Sequence, residues 1–363
     1  MRLLQNSGLY PAYIPRLRRL SQKCTTFAEH REVFLGDRYG ACHFLQPVLS
    51  GDPNAFFTNA DDEVLQRCWA KERGLDSSAT LADILLAQIE DHRTEVFYNL
   101  DPMRYGSDFV RRLPGCVKKS IAWRAAPSPR ADFGAYASVV CNFPGILESY
   151  RKVGWTAAYF APAHDPVMDA YAANTYRPVD VLFVGGYSRH HSRRAAVLEQ
   201  VAMLAGRHRV RFHLDRSRLT RLAESPWARL LPLAGHRRPS EICLVSAKPV
   251  FGRDLYQAMS QSKIVLNGAV DMAGLDRGNM RCFEAMGCGA LMVSDEGSYP
   301  AGMVDGETMK TYSQARPASQ MIEAALTMPD FSGRIAANGH LAMQTQYSKA
   351  IQWQAFQNLV GLS

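Results

Sequence analysis

The sequence lacks the features that assign a chain to several large classes of protein. No stretch approaches the roughly 18 consecutive apolar residues of a membrane-spanning helix. The first residues, MRLLQNSGLYPAYIP, lack the apolar core of a signal peptide, so we expect a cytoplasmic protein. The eight cysteines form no CxxC pair and no regular framework. We therefore expect reduced thiols, not a disulfide scaffold.

The common signatures of nucleotide and metal binding are also missing. Neither GxGxxG nor GxxxxGK[ST] occurs, which excludes the standard dinucleotide fingerprint and the Walker loop. No DxD motif follows a predicted strand, and the neighbouring His190 and His191 have no partner ligands nearby in the sequence. We therefore expect no metal site. The chain also has no internal repeat and no low-complexity tract.

Positive charge is in excess, with 42 Lys and Arg against 34 Asp and Glu, a net charge of +8. Such an excess is typical of partners that are nucleic acid, an anionic membrane or a phosphorylated small molecule. The basic clusters at residues 16–23 and 189–194 are not interleaved with aromatic residues. We therefore expect no nucleic-acid partner. Residues 10–23 predict an amphipathic helix that either rests on anionic lipid or is a plain surface helix.

Short apolar β-rich runs alternate with helical patterns along the whole chain. Uninterrupted apolar strands between amphipathic helices are typical of parallel sheets covered on both faces, so the fold class is α/β. The predicted strands are 1–5, 95–100, 119–123, 138–142, 157–160, 180–184, 210–214, 263–267 and 290–294.

The alternation starts again at Asp180, after a segment that contains three prolines. This restart predicts two Rossmann-like domains that face each other across a cleft. The predicted divisions are an N-terminal domain (1–165), a linker (166–179) and a C-terminal domain (180–346). A final helix (347–363) is predicted to pack back toward the N-terminal domain. In such sheets ligands bind beyond the carboxyl ends of the strands, so we expect site residues just after each strand.

The first candidate site lies in DVLFVGGYSRHHSRR, residues 180–194. Gly185 and Gly186 would allow a tight turn after the strand, and Ser192 would cap the next helix. Such a junction offers backbone N–H groups and a helix dipole to a phosphate, and Arg193 would add a charge-assisted hydrogen bond. A turn that uses two glycines for geometry alone is the alternative.

The second candidate site lies in GNMRCFEAMGCGALMVSD, residues 278–295. Arg281 and Glu284 stand in the first turns of a predicted helix, and Asp276 precedes Glu284 by eight positions. A carboxylate here can accept the hydrogen bonds of a ribose diol, and an arginine at a helix N-terminus can meet a diphosphate. Asp276 would reach the group that the diphosphate carries. The alternative is an exposed ion pair between neighbouring turns of a helix.

A third candidate site lies in KPVFGRDLYQ, residues 248–257. The loop at Gly252 would approach a base with its backbone groups, and Lys248 or Arg253 would reach a phosphate. An ordinary connection between a helix and a strand is the alternative.

These motifs, in this order, resemble a known family. The second half of the chain resembles the C-terminal donor domain of GT-B glycosyltransferases. The nearest likeness is in the CgeB-like branch, also called glycosyl transferases group 1. The segments that carry this likeness are FVGGYSRHHSRR, FGRDLYQAMSQSKIVLN, NMRCFEAMGCGALMVSD and VDGETMKTY. The first half is similar to the N-terminal domain of bacterial members of this branch, in the segments FAEHREVFLGDRYGACHF, NADDEVLQRCWAKERGL, FPGILESYRKVG and YFAPAHDP. The resemblance thus covers nearly the whole chain.

The resemblance implies a hexosyltransferase-type enzyme, EC 2.4, that moves a sugar from a nucleotide-diphosphate sugar to a glycan, lipid-linked or protein acceptor. Carried over, Glu284 would bind the ribose and Arg281 the diphosphate. Asp276 replaces the first glutamate of the E-x7-E motif, which in the wider GT-B families touches the donor sugar. The remaining implied contacts, on the phosphate and base sides, are those of Gly185, Gly186, Ser188 and Gly252.

The implied chemistry needs no metal and no cofactor besides the nucleotide-sugar co-substrate, because arginines and a helix dipole would meet the charge of the leaving group. An inverting reaction also needs a general base from the N-terminal domain. The candidates are Asp101, which follows the strand 95–100, and His164 at the linker. The alternatives are that Asp101 starts a turn and that His164 packs at a hinge.

The family also implies a role in bacterial surface-polysaccharide or protein glycosylation, with the enzyme peripheral at the inner face of the membrane. Two other functions remain open on the sequence alone. One is a non-hydrolysing nucleotide-sugar epimerase, which has the same two-domain architecture. The other is a non-catalytic GT-B protein that binds the nucleotide and transfers nothing.

Overall fold

The computed structural model describes residues 1–225, 233–268 and 274–361. The chain divides into two compact units, Met1–Ala163 with Lys349–Ser363, and His164–Ser348. The sequence pattern predicts that the N-terminal domain ends at residue 165 and that a linker follows at 166–179. The structure assigns this segment to the second unit, and the segment contains a short helix, Met168–Ala172.

The first unit is built on a sheet of six parallel strands. They are β1 (Leu3–Asn6), β2 (Ala55–Thr58), β3 (Val96–Asn99), β4 (Lys119–Trp123), β5 (Ser138–Cys141) and β6 (Ala157–Tyr159). Their order in the sheet is β2-β1-β3-β4-β5-β6. Every residue of β1, β3 and β5 is buried, as expected for a sheet covered on both faces.

Seven α-helices precede the second unit in the described chain. They are α1 (Ile14–Leu20), α2 (Phe27–Asp37), α3 (Gln46–Leu49), α4 (Glu63–Glu72), α5 (Leu81–Asp91), α6 (Ser107–Val110) and α7 (Pro144–Lys152). Helix α4 begins after Asp62, whose carboxylate accepts the N–H groups of Val64 and Leu65. Helix α5 begins with a capping box formed by Thr80 and Asp83. These caps fix the helix starts at the carboxyl edge of the sheet.

The second unit holds another sheet of six parallel strands. They are β7 (Val179–Gly186), β8 (Val210–Asp215), β9 (Ser246–Ala247), β10 (Ser262–Leu266), β11 (Leu291–Asp295) and β12 (Lys310–Tyr312). The order is β12-β11-β10-β7-β8-β9, which is the strand order of dinucleotide-binding folds. The direction in which strands are added reverses between β7 and β10. Ligands in such sheets bind outside the carboxyl ends at this switch point.

Helices cover both faces of this sheet. They are α8 (Met168–Ala172), α9 (Ser192–Ala202), α10 (Arg218–Ala223), α11 (Ser240–Val245), α12 (Gly252–Ser260), α13 (Met280–Gly287), α14 (Ala315–Thr327) and α15 (Pro329–Gln346). One apolar core, which includes Phe183, Phe212 and Ile264, joins β7, β8, β10 and β11 to α9 and α14.

The last helix, α16 (Lys349–Val360), belongs to the first unit. Its Phe356 is fully buried, and the ring centroid lies 5.0 Å from that of Tyr98 and 5.8 Å from that of Phe160. The sequence predicts a helix in 347–363 that packs toward the first domain, and these contacts lie inside that unit.

Helix α1 makes both apolar and ionic contacts within the first unit. Leu17 is buried, and Arg16 forms an ion pair with Asp37 at 2.7 Å. Arg18 is paired with Asp62 in the same way. None of the helices in the described ranges is long and apolar enough to cross a membrane. Contact of α1 with lipid stays a prediction.

Helix α13 packs closely on the first segment of the second unit. A Cβ placed on Gly287 would lie 2.4 Å from the Sδ atom of Met168 and 3.0 Å from Nδ1 of His164. The sequence predicts that the glycines ending this helix allow close packing on the next strand. At Gly287 the close neighbours lie instead in α8 and just before it.

We expect Gly287→Ala to lower the free energy of unfolding by about 1 to 3 kcal/mol, because the added methyl group overpacks this contact. Urea denaturation would measure the loss. The matched control is Gly333→Ala in α15, where no atom lies within 4 Å of the added Cβ. That change should stabilise the helix by up to about 1 kcal/mol. Equal effects of the two substitutions would contradict the close packing at Gly287.

Candidate functional site

At the carboxyl edge of the second sheet, the first predicted site lies beside the loop that follows β10. A Cβ on Gly268, which follows β10, would lie 3.3 Å from Cγ of Arg194 in α9 and 3.3 Å from the hydroxyl of Tyr312. This hydroxyl donates to the carbonyl of Asn267 at 2.7 Å. The start of α9 therefore approaches the loop after β10 at the switch point of the sheet.

Gly185 and Gly186 belong to strand β7 and pair with Leu214 and Asp215 of β8. Neither glycine has a positive φ, so the predicted tight turn at this position is wrong. No atom lies within 4 Å of a Cβ placed on Gly186. The strand therefore ends in backbone that borders open space, which lets a ligand approach it closely.

The turn between β7 and α9 carries Ser188 and leads to Arg193. The hydroxyl of Ser188 accepts the N–H of His190 at 3.3 Å. Helix α9 begins at Ser192 itself, after His191 and without a side-chain cap, so the prediction that Ser192 is the cap is wrong. The exposed Arg193 donates to the carbonyl of Ser313 at 2.8 Å, which holds this guanidinium near the end of β12.

Arg281 and Glu284 lie in the first two turns of α13, as the sequence predicts, and they form an ion pair. The pair is not on the surface, because the side chain of Glu284 is 2% exposed and that of Arg281 is 21% exposed. Burial raises the pKa of Glu284, and the charge of Arg281 opposes this shift. The alternative of an exposed, weakly interacting pair does not fit this burial.

Asp276 stands in the loop that precedes α13 and pairs through its backbone with Ser298. The next residue, Arg277, forms a buried ion pair with Asp295 at 2.6 Å and donates to the carbonyl of Gly274 at 2.8 Å. Sequence reasoning missed this pair, although Asp295 directly follows the predicted strand 290–294 and is the last residue of β11. The ion pair fixes the loop around Asp276, and residues 269–273 of the predicted loop lie outside the described residues.

Two side-chain amides, the buried one of Asn267 and the half-buried one of Asn279, also missed, connect β10 to α13. Asn267 donates to the hydroxyl of Ser294 at 3.0 Å and accepts the side-chain amide of Asn279 at 3.3 Å. Asn279 is the residue before the first turn of α13. The amides therefore fix the start of the helix that carries Arg281.

The third predicted site lies on the other side of β7, after β9. Lys248 is exposed, and its carbonyl accepts the Nδ1–H of His213 at 2.5 Å. Gly252 is the first residue of α12 and has a φ of 57°, a conformation that favours glycine. Arg253 follows on the exposed face.

The two predicted general bases lie in different units. Asp101 is in the first unit, just after β3, as expected. His164 is in the second unit, whereas the base was expected in the N-terminal domain. Its ring is buried, with Nε2 2.7 Å from a carboxylate oxygen of Asp169, and burial lowers its pKa. The packing alternative therefore fits His164 better.

A cavity of about 740 Å³ opens at the opposite edge of the second sheet. Lys263 and Leu291, near the amino ends of β10 and β11, line it together with Ala336 of α15. It is remote from the carboxyl ends of the strands, so we do not assign the donor to it. Within the described residues, no group of three or more His, Cys, Asp and Glu side chains could hold a metal ion.

Comparisons with known proteins fit this geometry. Residues 189–358 match the family model described as "Glycosyl transferase-like". A sequence search of curated proteins found no match. Anabaena Alr3699/HepE, solved in complex with UDP-glucose, aligns with a TM-score of 0.59 at 11% identity over 99% of both chains.

Two further solved structures align over nearly the full chain. An alpha-glucosyltransferase in complex with UDP-glucose and abasic-site DNA has a TM-score of 0.60 at 10% identity, over 99% of both chains. Sucrose-phosphate synthase from Thermosynechococcus elongatus has a TM-score of 0.54 at 13% identity, over 99% of this chain and 98% of that one.

Two α/β units with parallel six-stranded sheets, aligned with these structures over nearly their whole length, define the GT-B fold. The fold confirms the predicted fold class, and residues 189–358 match a glycosyl transferase-like family model. The CgeB-like branch stays a prediction.

Proposed function

We propose that the chain transfers a sugar from a nucleoside-diphosphate sugar to an acceptor and that the second unit binds the donor. The observation that carries this proposal is the buried pair of Arg281 and Glu284 at the start of α13, beside the switch point of the sheet. Two structures of the same fold were solved with UDP-glucose, which makes UDP the first nucleotide to test.

In this proposal Glu284 accepts hydrogen bonds from the ribose diol and Arg281 meets the diphosphate. Arg193, the turn at Ser188 and the uncapped start of α9 face the same phosphates from β7. Guanidinium groups and backbone N–H groups held in place before the reaction stabilise the charge that develops on the leaving diphosphate. Such a site supplies this stabilisation from the protein's own groups.

In this proposal the remaining predicted residues contact the transferred sugar, the phosphates and the base. Asp276 reaches the transferred sugar, since Arg277 and Asp295 fix its loop. The glycine backbone at the end of β7 lets the phosphates come close, and Lys248, Gly252 and Arg253 lie toward the base. The first unit binds the acceptor, which is a glycan, a lipid-linked glycan or a protein. A lipid-linked acceptor would suit a peripheral position of α1 at a membrane.

We expect Arg281→Met to weaken the binding of UDP by about 10- to 100-fold, because a charged hydrogen bond contributes about 1.5 to 3 kcal/mol. The affinity for UMP should change less than about threefold, since UMP lacks the second phosphate. Titration calorimetry with both nucleotides measures the difference. The control is Arg334→Met, an exposed arginine of α15. Equal losses for UDP and UMP would contradict the assignment to the diphosphate.

A nucleotide panel and a product assay test the function itself. Thermal shifts with UDP, GDP, dTDP and CMP identify the base, and NMR then follows the matching nucleotide sugar during incubation. A transferase releases the nucleoside diphosphate from the sugar. An epimerase would produce a second sugar nucleotide without release, and a non-catalytic protein would leave the donor unchanged.

A further inference from the structure

The cavity of about 740 Å³ at the amino edge of the second sheet has the size of a small-molecule site. The described residues that line it all belong to the second unit. One side of α15 follows it from 329 to 344, which is about 22 Å at the rise of an α-helix. The small residues Gly333 and Ala336 of this helix line the cavity together with the apolar side chains of Leu291 and Leu326. This space therefore suits an elongated apolar molecule.

One end of the cavity carries a carboxylate that uses only one of its oxygens. Asp169, the second residue of α8, lines the cavity together with His340 and Gln344. Its Oδ1 atom accepts the side-chain amide of Gln344 at 2.9 Å. The same oxygen lies 2.7 Å from Nε2 of His164 and 3.5 Å from Nε2 of His340. Oδ2 takes part in none of these contacts, and the side chain is 44% exposed, so this oxygen is open to a ligand.

The two histidines are arranged around the carboxylate of Asp169. Both present Nε2 to it, while both Nδ1 atoms are buried without a hydrogen-bond partner in the described part of the chain. Because such an atom is unfavourable, this orientation of the rings indicates a functional demand on the carboxylate. Burial lowers the pKa of His164, although the hydrogen bond with Asp169 opposes the shift. Near pH 7 His164 therefore holds the carboxylate in place without cancelling its charge.

Two cationic side chains also line the cavity, but their donors are engaged. Lys263 forms an ion pair with Asp180 at 2.6 Å. The two terminal nitrogens of Arg177 donate to four backbone carbonyls at 2.9 to 3.4 Å. An anionic ligand would have to displace these partners, whereas a cation meets the unused oxygen of Asp169. The charges at the cavity therefore favour a cationic ligand.

We propose that this cavity binds an elongated apolar molecule that ends in a single ammonium group. The ammonium group donates a charge-assisted hydrogen bond to Oδ2 of Asp169. Gln344 and His164 are positioning residues, because they hold the other oxygen of the carboxylate. The apolar part of the ligand lies along α15 at Gly333 and Ala336. Binding of such an amine needs neither a nucleotide nor glycosyl transfer.

Titration calorimetry of the full chain with octylamine, octanol and octanoate tests the polar end of the site, since these probes share one chain length. We expect octylamine to bind about 10- to 100-fold more tightly than octanol, because its hydrogen bond joins two charged groups. Octanoate should bind more weakly than octanol. Asp169→Asn should remove the advantage of octylamine and change the affinity for octanol less than about threefold. The matched control is Asp330→Asn, an exposed carboxyl group of α15 that should leave all three affinities unchanged.

Gly333→Leu tests the position of the apolar part. No atom lies within 4 Å of a Cβ on Gly333, so the variant should fold, which thermal unfolding verifies. Its side chain occupies the cavity and should weaken the binding of octylamine and of octanol by about tenfold or more. The control is Ala324→Leu, at an exposed position of α14, which should bind both probes like the wild type.

Four results would overturn the assignment. They are octanoate that binds as tightly as octylamine, a loss of octylamine affinity below about threefold in Asp169→Asn, unchanged binding in Gly333→Leu, and no binding of octylamine tighter than about 1 mM. Since these titrations contain no nucleotide, their failure leaves the proposed donor site untouched. Failure of the UDP titrations likewise leaves the amine site untouched.

Discussion

Glu284→Gln is expected to weaken the binding of UDP by about 10- to 100-fold without unfolding the protein. The carboxylate is buried in α13 and ion-paired with Arg281, so glutamine keeps its volume but removes its charge. Hydrogen bonds to a charged group contribute about 1.5 to 3 kcal/mol, which corresponds to this range of affinity. Titration calorimetry with UDP measures the loss directly.

The same substitution has a second consequence, for stability. Because burial raises the pKa of Glu284 in the folded chain, the unfolded chain releases this proton at lower pH than the folded one. The wild type therefore loses stability as the pH rises from the ordinary range of a glutamate through the raised pKa. Relative to wild type, Glu284→Gln should be more stable above this window, and the advantage should disappear at lower pH.

The matched control is Glu323→Gln in α14, which removes a partly exposed partner of Arg207. Its affinity for UDP should equal that of the wild type. If Glu284→Gln binds UDP as tightly as this control does, Glu284 does not contact the nucleotide and the donor site must be sought elsewhere in the unit.

Sequence patterns were sufficient for the elements that carry strong local signals. The strand before α13 and the helix start with Arg281 and Glu284 were predicted within one or two residues, since apolar runs and glycines mark their limits. Strands β2, β9 and β12 were missed, and none of them is buried throughout, unlike β1, β3 and β5.

The errors at the site arise where a distant segment determines the local structure. Gly185 and Gly186 look like a turn, but β8 is long enough to pair with both and keeps them extended. In the sequence NADDE, either Asp61 or Asp62 could cap the start of the helix. Only Asp62 caps the helix, while the burial of Asp61 depends on Leu9 and Arg104 from two other loops. A pattern within one segment contains no information about such partners.

Lys349→Met is expected to lower the stability of the first unit by about 3 kcal/mol. The ammonium group is buried at the start of α16 and donates to the carbonyls of Ala41 and Phe44 at 2.7 Å each and to that of Cys42 at 3.2 Å. Each buried acceptor that loses its donor costs about 1 to 3 kcal/mol, and the release of one buried charge offsets part of the total.

The neighbouring His43 cannot take over this role as a cation. Burial, followed by the charge of Lys349, lowers the pKa of His43 to about 3, so this imidazole stays neutral under ordinary conditions. The three carbonyls belong to the short turn of residues 41–43 and to Phe44, which ends it. Loss of the ammonium group should therefore loosen both this turn and the docking of α16.

Urea denaturation gives the change in stability, and hydrogen exchange of residues 349–360 reports on the docking of α16. The matched control is Lys263→Met, because Lys263 is half exposed and paired with Asp180 on the surface. Such a pair contributes about 1 kcal/mol or less. If Lys349→Met is as stable as this control and its last helix exchanges no faster, water satisfies the three carbonyls and the lysine does not hold the helix in place.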